Sequence, residues 1–170
     1  LSPWIVTLEA LAPFRKPFVR SAEEPQPLPY LEGQSGRDFS AIDVTLEVWL
    51  QTPQMRAHGH GGECIVRTGL AKAAYWTVAQ LVTHHTINGC NLMPGDLLGT
   101  GTLSGKGAGQ AACLLEITQG GRLSLRLSNG EERLFLHDDD TVTLRGYCER
   151  PGRRRIDFGD CTATVRRAKA

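Results

Sequence analysis

The apolar positions of this chain change period several times, and each change marks an element. Over residues 41–52, "AIDVTLEVWLQT", Ile42, Val44, Leu46, Val48 and Leu50 alternate with Asp43, Thr45, Glu47 and Trp49. A period of two with β-branched residues predicts a half-buried strand. "CIVRT" at 64–68 supplies its hairpin partner, across a flexible loop "MRAHGHGGE". From residue 70 the spacing lengthens. Leu70, Ala74, Thr77, Leu81 and His85 share one stripe, with Ala73, Trp76 and Val78 beside it, which predicts one main helix over about residues 69–87. Thr68 is placed to cap its start, and Asn88-Gly89 to supply a left-handed stop.

On either side the pattern is turn-like or β-rich. "TLEALAPF" predicts a short helical turn opened by Thr7 and closed by Pro13. Prolines at 25, 27 and 29 impose an extended, polyproline-like connector. "MPGD" (93–96) predicts a turn, and "LLGTGTLSG" and "ACLLEIT" (112–118) predict strands. "RLSLRLSNGEERLFL" (122–136) predicts a hairpin about Asn129-Gly130, with further strands at "TVTLRGYCER" (141–150) and "TATVRRA" (162–168). Many short strands and one good helix make an α+β or mostly-β fold, without internal repeat.

Composition narrows the picture. A chain of 170 residues suits one domain, and 41% hydrophobic with 22% charged residues fits a globular one. Nineteen Lys and Arg against 18 Asp and Glu leave a net charge of +1, which gives no long-range pull toward nucleic acid or an anionic membrane. The runs Arg153–Arg155 and Arg166, Arg167, Lys169 read as solvated surface. Five cysteines (64, 90, 113, 148, 161) without a CxxC pair fit reduced thiols in a cytoplasmic protein rather than disulfides. The opening "LSPWIV" has no Met and starts inside an apolar extended segment, so it reads as the interior of a longer sequence.

The candidate chemistry is uneven. His84 and His85 are neighbours on a helix and point about 100° apart, so they do not share a ligand. His85, on the apolar stripe, reads as a core histidine, and His84 as facing solvent or a subunit neighbour. His58, His60 and Glu63 sit in a glycine-loose loop that costs ordering entropy to close around an ion, so they read as loop rather than metal site. Asp138–Asp140 read as a β-turn rather than a calcium loop. "GTGTLSG" matches neither nucleotide-binding glycine pattern. As a strand it puts Thr100, Thr102 and Ser104 on one face: either a polar row suited to a carboxylate or carbonyl, or an exposed strand face. Glu116, between Leu115 and Ile117, is either a solvent-facing acid or a buried carboxylate that fixes a histidine tautomer. Spacing leaves both open.

"YWTVAQLVTHHTINGCNLMPGDLLGTGTLSG" resembles the carboxyl-terminal portion of the fumarylacetoacetase (fumarylacetoacetate hydrolase) family. The likeness runs from "LSPWIVTLEALAPF" through "PQPLPYL" to "GYCER" and "FGDC", and is weakest across "EVWLQTPQMRAHGHGGE". It implies an α+β, mostly-β mixed-sheet roll: a partial catalytic domain lacking its upstream segment. It implies carbon–carbon bond hydrolysis of a β-diketo acid, fumarylacetoacetate and water giving acetoacetate and fumarate, the last step of tyrosine and phenylalanine breakdown. Thr102 aligns with a substrate-contacting threonine, and Glu116 with the glutamate paired to the catalytic histidine. That histidine belongs to the family's earlier segment and corresponds to neither His84 nor His85. The family's calcium or magnesium is held by carboxylates upstream, so the resemblance assigns no metal ligand here. It further implies a small-molecule substrate, a homodimer in the complete enzyme, no nucleic-acid or membrane partner, and an inactive isolated chain. The alternatives are another activity of the superfamily, such as fumarylpyruvate hydrolysis or β-keto-acid decarboxylation or hydration, or a non-catalytic domain.

Overall fold

The computed structural model describes residues 2, 4–32 and 40–168; Leu1 and Pro3 of the opening segment and Lys169 of the basic tail lie outside them. Strands β1 (Arg15–Lys16) and β2 (Ala41–Ile42) pair as a short ribbon. Next come β3 (Thr45–Gln51), α1 (Pro53–Ala57), β4 (Glu63–Gly69), α2 (Leu70–Ala73) and α3 (Val78–Thr86). After a long irregular stretch follow α4 (Leu114–Ile117), the hairpin strands β5 (Leu125–Arg126) and β6 (Glu132–Arg133), then β7 (Thr141–Cys148), β8 (Ile156–Asp157) and β9 (Cys161–Thr164). The main sheet runs β4-β3-β7, with β8 and β9 both on the far edge of β7. Every strand pair among the described residues is antiparallel. The architecture is therefore mixed α and β with mostly antiparallel strands, and the mixed sheet implied by the resemblance is not found among them. No described helix is long and apolar enough to cross a membrane.

The alternation of residues 41–52 does make a strand, and its pairing explains its two faces. Leu46, Val48 and Leu50 lie opposite Gly146, Leu144 and Val142 of β7, so these side chains share one face. The register with β4 steps from Val48–Val66 to Trp49–Cys64, which leaves Ile65 as the extra residue of a bulge. One apolar cluster gathers Leu11, Phe14, Val44 and Cys148, with Leu46, Ile156 and Phe158 against it. A second gathers Leu50, Met55 and Leu127. Met55 reaches that core because the segment taken as a flexible loop begins as a helix. Thr52 accepts the Met55 N–H at 3.1 Å and Pro53 sits at the first helical position, where its missing N–H and fixed φ cost nothing.

The single helix expected over 69–87 is two pieces. Ala74 leaves α2 with ψ 126°. Thr77 then starts α3 by a capping box: its hydroxyl accepts the Gln80 N–H at 3.1 Å, and the Gln80 side chain accepts the Thr77 N–H at 3.0 Å. Thr68 remains in β4 and caps nothing, Gly69 holding that position. The expected stop holds, with Gly89 at φ 86°. Two further strands are corrected. "LLGTGTLSG" pairs with no strand among the described residues, so its hydroxyls form no strand face; "ACLLEIT" folds as a helical turn, α4.

The face of β3 opposite the apolar one is charged. Glu47, only 6% exposed, lies directly between Arg67 of β4 and Arg145 of β7. It accepts bonds from Arg67 Nε (2.9 Å), Tyr147 Oη (3.2 Å) and Trp49 Nε1 (2.8 Å). Burial pushes its carboxyl up, but the Trp49 and Tyr147 hydrogen bonds and the Arg67 charge outweigh it and hold the group below its ordinary range. Arg145 stacks over Trp49 at 5.0 Å and chelates Asp160. A second buried group sits at the hairpin. Asp140, in the turn predicted for 138–140, is fully buried and takes both Nε and Nη2 of Arg133, at 2.8 and 2.9 Å. Asp138 and Asp139 instead meet the tail arginines, Arg167 and Arg166.

Removing one partner from a buried ion pair leaves the other charge uncompensated. Asp140→Ala should therefore lower stability by about 3–5 kcal/mol, against a few tenths for Asp138→Ala, read from urea midpoints. Glu47→Gln should cost on the order of 1–3 kcal/mol at neutral pH. Because the folded carboxyl is held low, its contribution is complete above the ordinary carboxylate range and is lost as pH falls through the folded value. The gap between wild type and Glu47→Gln should thus close in acid; a gap unchanged by pH would contradict the assignment.

Candidate functional site

Arg20 clamps two of the aromatic residues that wall the cavity carrying Thr102. Its guanidinium stacks over Tyr75 at 4.2 Å and over Trp76 at 4.5 Å, and donates to the carbonyls of Tyr75 and Pro25. The Tyr75 hydroxyl donates to the same Pro25 carbonyl at 3.0 Å, so the proline connector is latched onto the break between α2 and α3. That break exists because Thr77 needs extended backbone to cap α3. It turns Trp76 into a cavity of about 210 Å³ lined by Phe18, Ile42, Leu70, Leu81 and Thr102 among others. Thr102 is exposed, and its hydroxyl makes no hydrogen bond among the described residues, so it is available to a ligand at the cavity rim.

Glu116 sits on α4 and is exposed, which corrects any picture of a carboxylate sunk in an apolar strand. Its orientation is nonetheless set. Oε2 accepts the Ser104 hydroxyl at 2.6 Å and the Ala112 N–H at 3.0 Å. The Ser104 bond, joined by the Ala112 amide, holds the carboxyl below its ordinary range, so it is ionised at neutral pH. The intervening loop closes on itself through Gly105 N–H to Gln110 O (2.9 Å) and Gln110 N–H to Gly107 O (3.2 Å). It is pinned to the sheet where the Arg67 N–H donates to Gly109 O at 3.0 Å.

The structure thus brings Ser104 and Glu116 into contact and puts Thr102, two residues before Ser104, at the cavity. Thr100 lines the same cavity. Ser104 as the partner of Glu116 was visible only as one hydroxyl among three, and no spacing signal links positions twelve apart through an irregular loop. The histidines go elsewhere. His85 is exposed rather than in a core, with Nε2 3.4 Å from Cys90 Sγ, while His84 Nδ1 lies 3.0 Å from Tyr30 Oη. His58 bonds the Gln54 carbonyl of its own helix, His60 accepts the Gly62 N–H, and Glu63 accepts the Ser128 N–H. Among the described residues no group of three or more His, Cys, Asp or Glu could hold a metal ion. The five cysteines are unpaired.

Residues 1–166 match the family model described as "Fumarylacetoacetate (FAA) hydrolase C-terminal". The chain is 42% identical over 165 residues to fumarylacetoacetase of Arabidopsis thaliana, which covers 97% of this chain and 36% of that protein. It is 41% identical over 169 residues to fumarylacetoacetase of Dictyostelium discoideum and 39% identical over 165 residues to that of Homo sapiens, with 97% of this chain covered each time. The chain spans a little over a third of the length of these curated relatives, 36–37%. On the match through 166 of its residues, this chain belongs to the fumarylacetoacetate hydrolase C-terminal family.

Proposed function

We propose that this chain forms part of the active site of a carbon–carbon bond hydrolase that converts 4-fumarylacetoacetate and water to acetoacetate and fumarate. The observation that carries this reading is a carboxylate, Glu116, held ionised and oriented by Ser104 and the Ala112 amide within a chain of this family. Glu116 accepts the ring N–H of a histidine supplied from outside this chain, which sets the tautomer that leaves the other ring nitrogen free as base. That nitrogen takes a proton from water, and the hydroxide adds to the fumaryl ketone carbon, the carbonyl bonded to the alkene. Collapse of the tetrahedral adduct breaks the carbon–carbon bond, the electron pair leaving as the enolate of acetoacetate. The enolate then takes up the proton. Thr102 donates its hydroxyl to a carboxylate or carbonyl of the substrate at the cavity rim.

The divalent ion that the resemblance implies finds no fit among the described residues. Its ligands belong, on this reading, to the same outside segment as the histidine. The same reading makes the complete enzyme a cytoplasmic homodimer.

Fused to the upstream part of a fumarylacetoacetase relative, the chain should hydrolyse 4-fumarylacetoacetate, with fumarate release as the readout; alone it should not. In that fusion Glu116→Gln should lower kcat about 10²- to 10⁴-fold, the usual worth of a positioned base. Thr102→Val should raise KM by roughly 3- to 10-fold for one lost hydrogen bond. Wild-type turnover in Glu116→Gln would remove Glu116 from the mechanism, and preferred turnover of fumarylpyruvate or oxaloacetate would move the chain to another activity of the superfamily. Ser104→Ala should let the Glu116 carboxyl rise toward its ordinary range. A group held low in the fold keeps its charge until pH falls through that lowered value, so the Glu116 titration itself should move to higher pH in the variant. A carboxyl titration by NMR checks the cause directly.

A further inference from the structure

Two cavities meet at the break between α2 and α3. The one that Thr102 borders, about 210 Å³, is walled chiefly by carbon, from Phe18, Ile42, Leu70, Trp76 and Leu81. The other, about 540 Å³, lies beside it, with Phe18 and Tyr75 common to both. Its lining carries Lys16, Arg20, Lys72 and Lys106 against one acid, Glu24, in a chain whose net charge is +1. Two of these cations are already met. Lys16 pairs with Asp43 at 2.7 Å, and Lys106 lies 3.6 Å from Glu24. Arg20 and Lys72 form no ion pair among the described residues.

Arg20 is also held still. Its guanidinium stacks over Tyr75, Trp76 and Phe18 at 4.2, 4.5 and 5.6 Å. Nη1 and Nη2 donate to the carbonyls of Pro25 and Tyr75, while Nε donates to nothing among the described residues. The result is a fixed guanidinium without an acid, at the seam between an apolar cavity and a cationic one.

We propose that the paired cavities bind a small amphipathic carboxylate, its apolar body in the aromatic-walled cavity and its head on Arg20 and Lys72. Each half of the ligand is selected by one cavity. Roughly 150 Å³ of apolar cavity is enough for a benzene ring, so the smaller cavity takes a ring or a short acyl chain. A planar carboxylate is the natural acceptor for guanidinium and ammonium donors, and a neutral ligand would leave both cations unmet. Because stacking has already fixed Arg20, little further ordering is needed when the ligand arrives. The site includes the cavity that Thr102 borders and to that extent rests on the hydrolase reading. Its ligand class comes from the walls alone, and no step of the reaction enters the argument.

The test titrates the 170-residue chain with 3-phenylpropionate at pH 7 and low salt. The indole N–H signals of its three tryptophans are followed by NMR, that of Trp76 being assigned by its loss in Trp76→Phe. The Trp76 signal should shift saturably, with a dissociation constant on the order of 1 mM, while those of Trp4 and Trp49 stay in place. Neutral 3-phenylpropionamide should bind about tenfold more weakly, and Arg20→Gln should weaken the acid by about the same factor, as for loss of a hydrogen bond to a charged group. Lys72→Gln should cost about threefold, the worth of one exposed charge. Acetate, a head without a body, should leave Trp76 unmoved. Equal affinity for acid and amide, or a Trp76 signal that does not move, would overturn the proposal. Should Arg20→Gln fail to fold, the exposed Lys72 and the comparison of acid with amide decide. Binding is read here without turnover, so its failure is distinct from a failure of the Glu116 assignment.

Discussion

Strand β3 is hydrogen-bonded on both edges, and the rest of the molecule follows from that. A strand so placed has no free edge, and everything it carries must be settled on its two faces. The apolar face is met by the two clusters at its ends, around Val44 and around Leu50. The other face carries a carboxylate at its midpoint, Glu47, which is stable there because residues directly opposite and adjacent supply Arg67, Tyr147 and Trp49. The two faces together specify register. A slip by one residue would turn Leu46 and Leu50 onto the charged side and Glu47 onto the apolar one. A buried carboxylate without partners costs far more than the slip could return.

Much of this sheet was legible in the sequence because its signals are local. Alternation marked β3, and Asn129-Gly130 marked the hairpin. The failures share a different cause. The stripe through Leu70 and His85 passed over the break at Ala74–Thr77 because alanines and threonines carry little periodic information, while the decisive signal was the Thr77-to-Gln80 box inside the pattern. "ACLLEIT" is too short for periodicity to separate a strand from a helical turn. Pro53 behind Thr52 announced a helix start that a glycine-rich reading of the loop obscured. Asp140 looked like one of three turn acids, and only the fold shows it buried against Arg133, seven residues earlier.

The candidate site was legible in another way. Thr102 and Glu116 were singled out by residue type, but spacing left each with a bland alternative, and resemblance alone attached roles to them. What the structure adds is physical. A carboxylate whose burial the spacing left open is held ionised while exposed, by a serine and an amide brought round by a closed loop. A threonine two residues before that serine lines an aromatic-walled cavity, whose wall exists because a helix is interrupted to make its cap. Both features depend on irregular backbone, which pattern reading describes least well.

The bond from the Arg67 amide to the Gly109 carbonyl has a consequence outside chemistry. β4 is the outermost strand on its side of the sheet, and its outward amides are the groups to which a foreign chain would add. At Arg67 the glycine loop occupies that position. The segment that presents Ser104 is therefore also a partial guard against strand addition from another molecule, and a rearrangement of residues 105–110 that broke this bond would bare a template for self-association.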